Sequence, residues 1–132
     1  MQLAYRTDLS TETALLRVHH EITYALDNNA CVILLMLDLS ASFDVIDHDI
    51  HFDRLQYSFG ISGSALSWIR SYLTDRSLCV SIRSVHSDNI VLKHGVPQGS
   101  VLGPRLYSMF SKPVGNICKK HGMVYRCYAD DT

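Results

Sequence analysis

Two places in the chain put carboxylates directly behind apolar runs. Asp38 follows ACVILLML (30–37), and Asp130 and Asp131 follow GMVYRCYA (122–129). If both runs are strands of one sheet, three acids meet at one edge. Carboxylates that crowded repel one another unless cations neutralise them. An oxygen-only set suits Mg²⁺, with Mn²⁺ as an alternative. Two such ions about 3.5–4 Å apart hold the attacking and leaving oxygens of an in-line displacement, which is the chemistry of nucleotidyl transfer. Each feature also has a plainer reading. An Asp-Asp pair serves as turn chemistry, and a lone Asp after an apolar strand serves as a helix cap or a solvated strand end. A second acidic cluster, Asp47, His48, Asp49 and His51, has metal-ligand residue types. It reads better as the solvated start of a helix, where acids meet the positive end of the dipole.

The elements that would position these groups mix helix and strand. Ser10 can cap a first helix, with Glu12 in its first turn; Leu15, Val18, Ile22, Ala25 and Leu26 recur at helical spacing until Asp27-Asn28-Asn29 ends it. The run ACVILLML, eight apolar residues without alternation, predicts a strand buried on both faces. Asp49 is placed to cap a second helix that carries Ile50, Leu55 and Phe59 and stops at Gly60. SALSWIRSYL predicts a third helix, with Ala65, Ile69, Tyr72 and Leu73 on one side. From Ser77 the period falls to two, and HSDN is the expected turn into IVLK, making a hairpin. HGVPQGSVLGP is a loop, followed by helical spacing at Leu106, Met109 and Phe110 before Pro113. GMVYRCYA predicts a last strand. Without a regular βαβ rhythm, the class is α+β.

Composition narrows the setting. At 132 residues with 47% hydrophobic and 19% charged residues, the chain has the material for a packed domain. No repeat or linker marks an internal boundary. The net charge of −1 does not by itself point to nucleic acid. The cysteines, Cys31, Cys79, Cys118 and Cys127, have no zinc spacing; Cys31 and Cys127 are expected to be small buried hydrophobes. With no secretory signal and no run long enough to span a bilayer, a soluble intracellular protein is expected, with no membrane partner. A nuclear site stays open, although no localisation signal is visible.

Taken in order, LDLSASFD (37–44), GVPQGSVLGP (95–104) and YADD (128–131) resemble motifs A, B and C of a reverse transcriptase. The match is closest to enzymes of non-LTR (LINE-type) retrotransposons. YRTDLSTETAL resembles the finger motif that precedes motif A there, and VIDHDI and FGISGSALSWIRSYL resemble connecting segments. The resemblance covers essentially the whole chain. It implies a partial fingers–palm of a right-hand polymerase, with an antiparallel palm sheet packed on helices and cut at the motif C hairpin. About 1–30 would be fingers and 31–132 palm, in one partial domain.

The same resemblance implies roles. Asp38, Asp130 and Asp131 would be catalytic acids, carrying two Mg²⁺ ions together with the backbone of Leu39. Ala41 and Ser42 would hold the triphosphate, and Phe43 would exclude a 2′-hydroxyl beneath the sugar. Phe43 read without the motif is a core aromatic. Gln98 and Gly99 would line the nucleotide pocket, Tyr128 would lie near the primer end, and Arg6 near template or nucleotide. Partners would be an RNA template, a DNA primer, deoxynucleoside triphosphates, and the remaining fingers and thumb of the same polyprotein. His51, Arg105 and Arg126 depart from the family pattern; the last must face solvent, nucleic acid or a partner carboxylate. Two further readings stand beside RNA-directed DNA polymerase. One is a remnant or partial copy with no activity of its own, favoured for the isolated fragment because an open sheet edge is expected at Thr132. The other is an RNA-directed RNA polymerase, which Phe43 argues against.

Overall fold

The computed structural model describes Ala4, residues 8–129 and Asp131. Asp130 and Arg6 lie outside the described residues. The elements run α1 (Thr11–Asp27), α2 (His48–Phe59), α3 (Gly63–Leu73), β1 (Arg76–Leu78), β2 (Ser81–Ile82), β3 (Val85–His86), β4 (Ile90–Leu92) and α4 (Gly103–Lys120). This is an α+β set, grouped into two compact units: Met1–Ser40 with Ser111–Thr132, and Ala41–Phe110.

In the first unit, α1 starts where the sequence says it should. Ser10 accepts from the Thr13 amide at 3.2 Å while the Thr13 hydroxyl accepts from the Ser10 amide, a reciprocal capping box. Its end is a Schellman arrangement: Asn29 takes the left-handed conformation (φ 57°), and the Ala30 amide reaches back to the Ala25 carbonyl at 3.0 Å. The helix buries no residue; its expected apolar face is half covered at Val18 and Ile22 and open at Leu15 and Leu26.

The two apolar runs correct the expectation of buried strands. Residues 30–37 form no ladder and lie exposed, Ile33 at 94% and Met36 at 81%. Cys31 is exposed with them, and Cys127 is half-buried, so neither is the buried hydrophobe expected. Residues 123–126 also lack strand structure; the segment ends in an isolated antiparallel bridge, Tyr128 with Asp131. Apolar sequence specifies a buried strand only where a sheet exists to receive it, and among the described residues none does.

The second unit holds the core. Phe52 and Leu55 of α2 pack with Leu66 and Leu73 of α3, Leu106 and Tyr107 of α4, and Ile46 and Val96 from the connecting loops. Asp47, rather than Asp49, caps α2, its carboxylate accepting from the Ile50 amide at 3.0 Å. Gly60 ends α2 with φ 69°. The Arg70 guanidinium sits over the Phe52 ring, 4.3 Å from its centre. Beyond α3 the alternating segment forms two antiparallel ribbons, β1 with β4 and, between them in sequence, β2 with β3. Their turn falls at Arg83-Ser84, with Arg83 at φ 55°, and not at HSDN. Ser87 joins the ribbons instead: its amide and hydroxyl bond to the Val80 carbonyl and amide, both at 2.9 Å. Helix α4 continues past Pro113, which removes the amide that would bond the Met109 carbonyl. Arg54 donates to the next carbonyl, that of Phe110, and lies over the Phe110 ring.

His51 is the anomaly of this core. It is fully buried, edge-on to Phe110, and neither ring nitrogen has a hydrogen-bond partner. Burial, then the Arg54 guanidinium and His48, push its pKa from 6.5 down to about 4. The neutral ring is therefore the folded form, and the unfolded chain takes the extra proton. Stability is full above pH 6.5 and falls as the pH drops towards 4, by about 3 kcal/mol at roughly 1.4 kcal/mol per pKa unit. Denaturant unfolding at pH 7.5 and pH 4.5 should show this loss. His51→Leu should remove most of it and stabilise the chain at pH 7.5 by about 1–2 kcal/mol, since two orphaned nitrogens disappear.

Candidate functional site

The segment 41–47 and the loop 94–103 are joined by backbone hydrogen bonds. The Val96 amide donates to the Phe43 carbonyl and the Gly95 amide to the Ile46 carbonyl, each at 2.8 Å. The Nε2 of buried His48 lies 2.7 Å from the Gly95 carbonyl and completes the set. Asp47 and His94 form an isolated bridge beside them, with their side chains 3.9 Å apart. Gly95 makes the crossing feasible. It holds φ 91°, and a Cβ there would stand 3.0 Å from the Asp44 Cα and from the Phe43 carbonyl oxygen. Both are backbone atoms that cannot swing aside.

This crossing fixes five of the expected site residues in one unit. Ala41 takes φ 53°, and its carbonyl accepts from the Asp44 amide at 2.8 Å, a tight turn that buries Ser42. The Phe43 ring stacks on Tyr107, centres 5.1 Å apart and planes at 27°. At Gly103 a Cβ would stand 2.8 Å from the Pro97 carbonyl oxygen, so glycine there lets the first turn of α4 close on the loop backbone, with the Phe43 ring in ordinary contact range at 3.7 Å. Phe43 is thus packed against the core. Ser100 organises the other side: its hydroxyl donates to the Pro97 carbonyl at 2.7 Å and accepts from the Gly103 amide at 3.0 Å, starting α4. Gln98 and Gly99 form the exposed tip, with Gly99 at φ 79° and open space around it.

The acidic residues belong to the other unit. Asp38 and Leu39 are exposed in the irregular segment after 30–37, and exposed Asp131 follows Tyr128 in the terminal turn. There the Tyr128 amide donates to the Asp131 carbonyl at 2.9 Å and the Asp131 amide to the Tyr128 carbonyl at 3.1 Å. Among the described residues, no three His, Cys, Asp or Glu side chains are grouped so as to hold a metal. The donor chemistry of Asp38, Asp131 and a backbone carbonyl is hard oxygen throughout, which fits Mg²⁺ rather than a soft metal.

Two residues escaped sequence reasoning. His48 and His51 read as a solvated helix start, but both are buried. His48 reaches a carbonyl 47 positions away. The one signal in the sequence was their spacing of three, which puts both on the α2 face that also carries Phe52 and Leu55. Arg126, for which a partner carboxylate was one of three expected settings, is paired with Glu21 of α1 and donates to the Tyr125 carbonyl at 2.8 Å.

Substitution should separate the two strained glycines. Gly95→Ala meets both positive φ and backbone crowding, and should cost about 3 kcal/mol or more in denaturant unfolding. Gly99→Ala meets the φ penalty alone, about 1–2 kcal/mol.

Comparison with known proteins completes the picture. The family model described as reverse transcriptase (RNA-dependent DNA polymerase) matches residues 1–132. The probable RNA-directed DNA polymerase from transposon BS of Drosophila melanogaster is 34% identical over 110 residues, 83% of this chain and 12% of the relative. The RNA-directed DNA polymerase from mobile element jockey of the same species is 30% identical, over 99% of this chain and 15% of the relative. The probable RNA-directed DNA polymerase from transposon X-element, also from that species, is 34% identical, over 98% and 14%. The chain therefore spans between 12 and 15% of the length of these relatives.

Proposed function

Because the chain belongs to the reverse transcriptase (RNA-dependent DNA polymerase) family, we propose that it is part of the fingers and palm of an RNA-directed DNA polymerase of a non-LTR (LINE-type) retrotransposon. The complete enzyme adds deoxynucleotides to a primer 3′-hydroxyl on an RNA template, inside the cell and without a membrane. In this reading, residues 1–30 belong to the fingers and 31–132 to the palm. What supports it is the crossing at Gly95, which holds the segment after Asp38 against the loop of Gln98 and Gly99, the two parts that would embrace one nucleotide. Among the described residues, no helix is long and apolar enough to cross a membrane.

Asp38, Asp130 and Asp131, with the Leu39 carbonyl, would hold two divalent cations. When bound, these supply charge neutralisation and in-line alignment of the oxygens exchanged at phosphorus. The chain's own residues do the rest. The turn at Ala41 and Ser42 orients backbone groups towards the triphosphate. Phe43, braced by Tyr107, presents a ring that does not yield, so a 2′-hydroxyl is excluded by steric contact. Gln98 and Gly99 line the base-pair pocket, with glycine permitting close approach of backbone to nucleotide. Tyr128 would lie by the primer end, and Arg6 by the template or the nucleotide.

The 132 residues alone form an inactive piece or remnant. The observation behind this second reading is the exposure of 30–37, which leaves Asp38 on a segment with no sheet to brace it. A site 1 Å too loose loses orders of magnitude in rate. Primer extension by the purified fragment itself is the result that rejects it.

In a polymerase completed with flanking segments, Asp38→Asn or Asp130→Asn should lower primer extension at least about 10³-fold; near-normal rates reject the metal assignment. Phe43→Val should raise ribonucleotide incorporation relative to deoxynucleotide by about 10-fold or more. An unchanged ratio leaves Phe43 as a core aromatic only.

A further inference from the structure

The terminal turn that carries Tyr128 and Asp131 is reached through residues 123–126, which form no strand among the described residues. Two consecutive residues of this segment are nevertheless anchored, one to α1 and the other to the part of α4 that belongs to the first unit. The Arg126 guanidinium forms a hydrogen-bonded ion pair with the Glu21 carboxylate, in the middle of α1. Both side chains are about one-third exposed or less, at 28% and 35%, and the Arg126 Nε is fully enclosed. Tyr125 lies against α4 at Gly115, where a methyl group would overlap its ring and hydroxyl; glycine at 115 is the notch that seats it. Arg126 also donates to the Tyr125 carbonyl, so the two anchors are tied to each other.

We propose that Glu21 and Arg126 are positioning residues for the terminal acidic turn, acting through the backbone of 125–128, with Gly115 as the seat of the second anchor. An ion pair replaces what a neighbouring strand would supply. It sets the direction in which the chain enters Tyr128 and therefore where Asp131 stands. An arginine in an apolar strand-like segment is unfavourable unless a carboxylate meets it, and Glu21 is that carboxylate. The pairing also constrains where Arg126 can be changed: losing either partner leaves the other charge partly buried and unmatched. Its consequence for catalysis rests on the polymerase reading above, but the geometry itself does not.

The test uses the 132-residue chain and amide hydrogen exchange by NMR. The Tyr128 and Asp131 amides, which bond across the turn, report its position, and the amides of α2 are the internal standard. Glu21→Gln and Arg126→Gln should each speed exchange at Tyr128 and Asp131 by about tenfold, leaving α2 unchanged. The exchanged pair, Glu21→Arg with Arg126→Glu, should restore protection. Gly115→Ala should loosen the same two amides without touching the ion pair. Unchanged exchange in the single variants overturns the proposal, as does a loss shared equally by α2 and not repaired by the exchanged pair. A Mn²⁺ titration of the same samples separates the two readings. Broadening at Asp38, Tyr128 and Asp131 that weakens in the single variants and returns in the exchanged pair links positioning to the metal. Broadening absent from those residues, with the exchange results as expected, rejects the metal reading and leaves the positioning intact.

Discussion

The second unit depends on one close approach of backbone to backbone, at Gly95. There a residue with no side chain passes the backbone of Phe43 and Asp44, close enough for two amide–carbonyl bonds and for the His48 ring to meet the Gly95 carbonyl. Each such bond contributes only about 1 kcal/mol net, but each would cost more if buried and unmade. The crossing therefore works as a set: it fixes the start of α2, the start of the 97–103 loop and, through Phe43 and Tyr107, the seat of α4. Every residue of that unit with an expected contact to nucleotide lies within a few positions of it.

Local signals were legible in the sequence, and distant ones were not. Ser10, Asn29 and Gly60 act on atoms a few residues away, so their residue types alone announce where helices begin and end. The strands at 30–37 and 122–129 were read from apolarity, which reports a wish for burial, while a strand needs a partner that composition does not name. The HSDN segment has turn residues, but register was decided by Ile82 facing Val85 across a shorter turn. For the site, the ordered motifs around Asp38, Gln98 and Tyr128 carried the family, and comparison bore that out. The His48 contact and the Glu21–Arg126 pair were invisible, because they join residues that nothing in the linear order relates.

The two units are also held by different forces. Around Phe52 and Leu55 the second has a closed apolar core, which opens as a whole. The first has a helix with no buried residue, an exposed apolar run and a few directed ties. Directed ties fix orientation well but supply little of the area-dependent energy that makes folding cooperative. A change in the second unit is therefore felt across it, whereas one in the first is felt locally.

His51 has a consequence for how this chain tolerates change. A fully buried imidazole with nothing to bond is carried at the expense of a margin that is only a few kcal/mol wide in most domains. Each later substitution near α2 starts closer to the unfolding threshold than it would with an aliphatic side chain at this position. The reserve of neutral variation in the unit is smaller than the packing around Phe52 suggests. A single aliphatic substitution at this one position would widen the range of sequences that still fold.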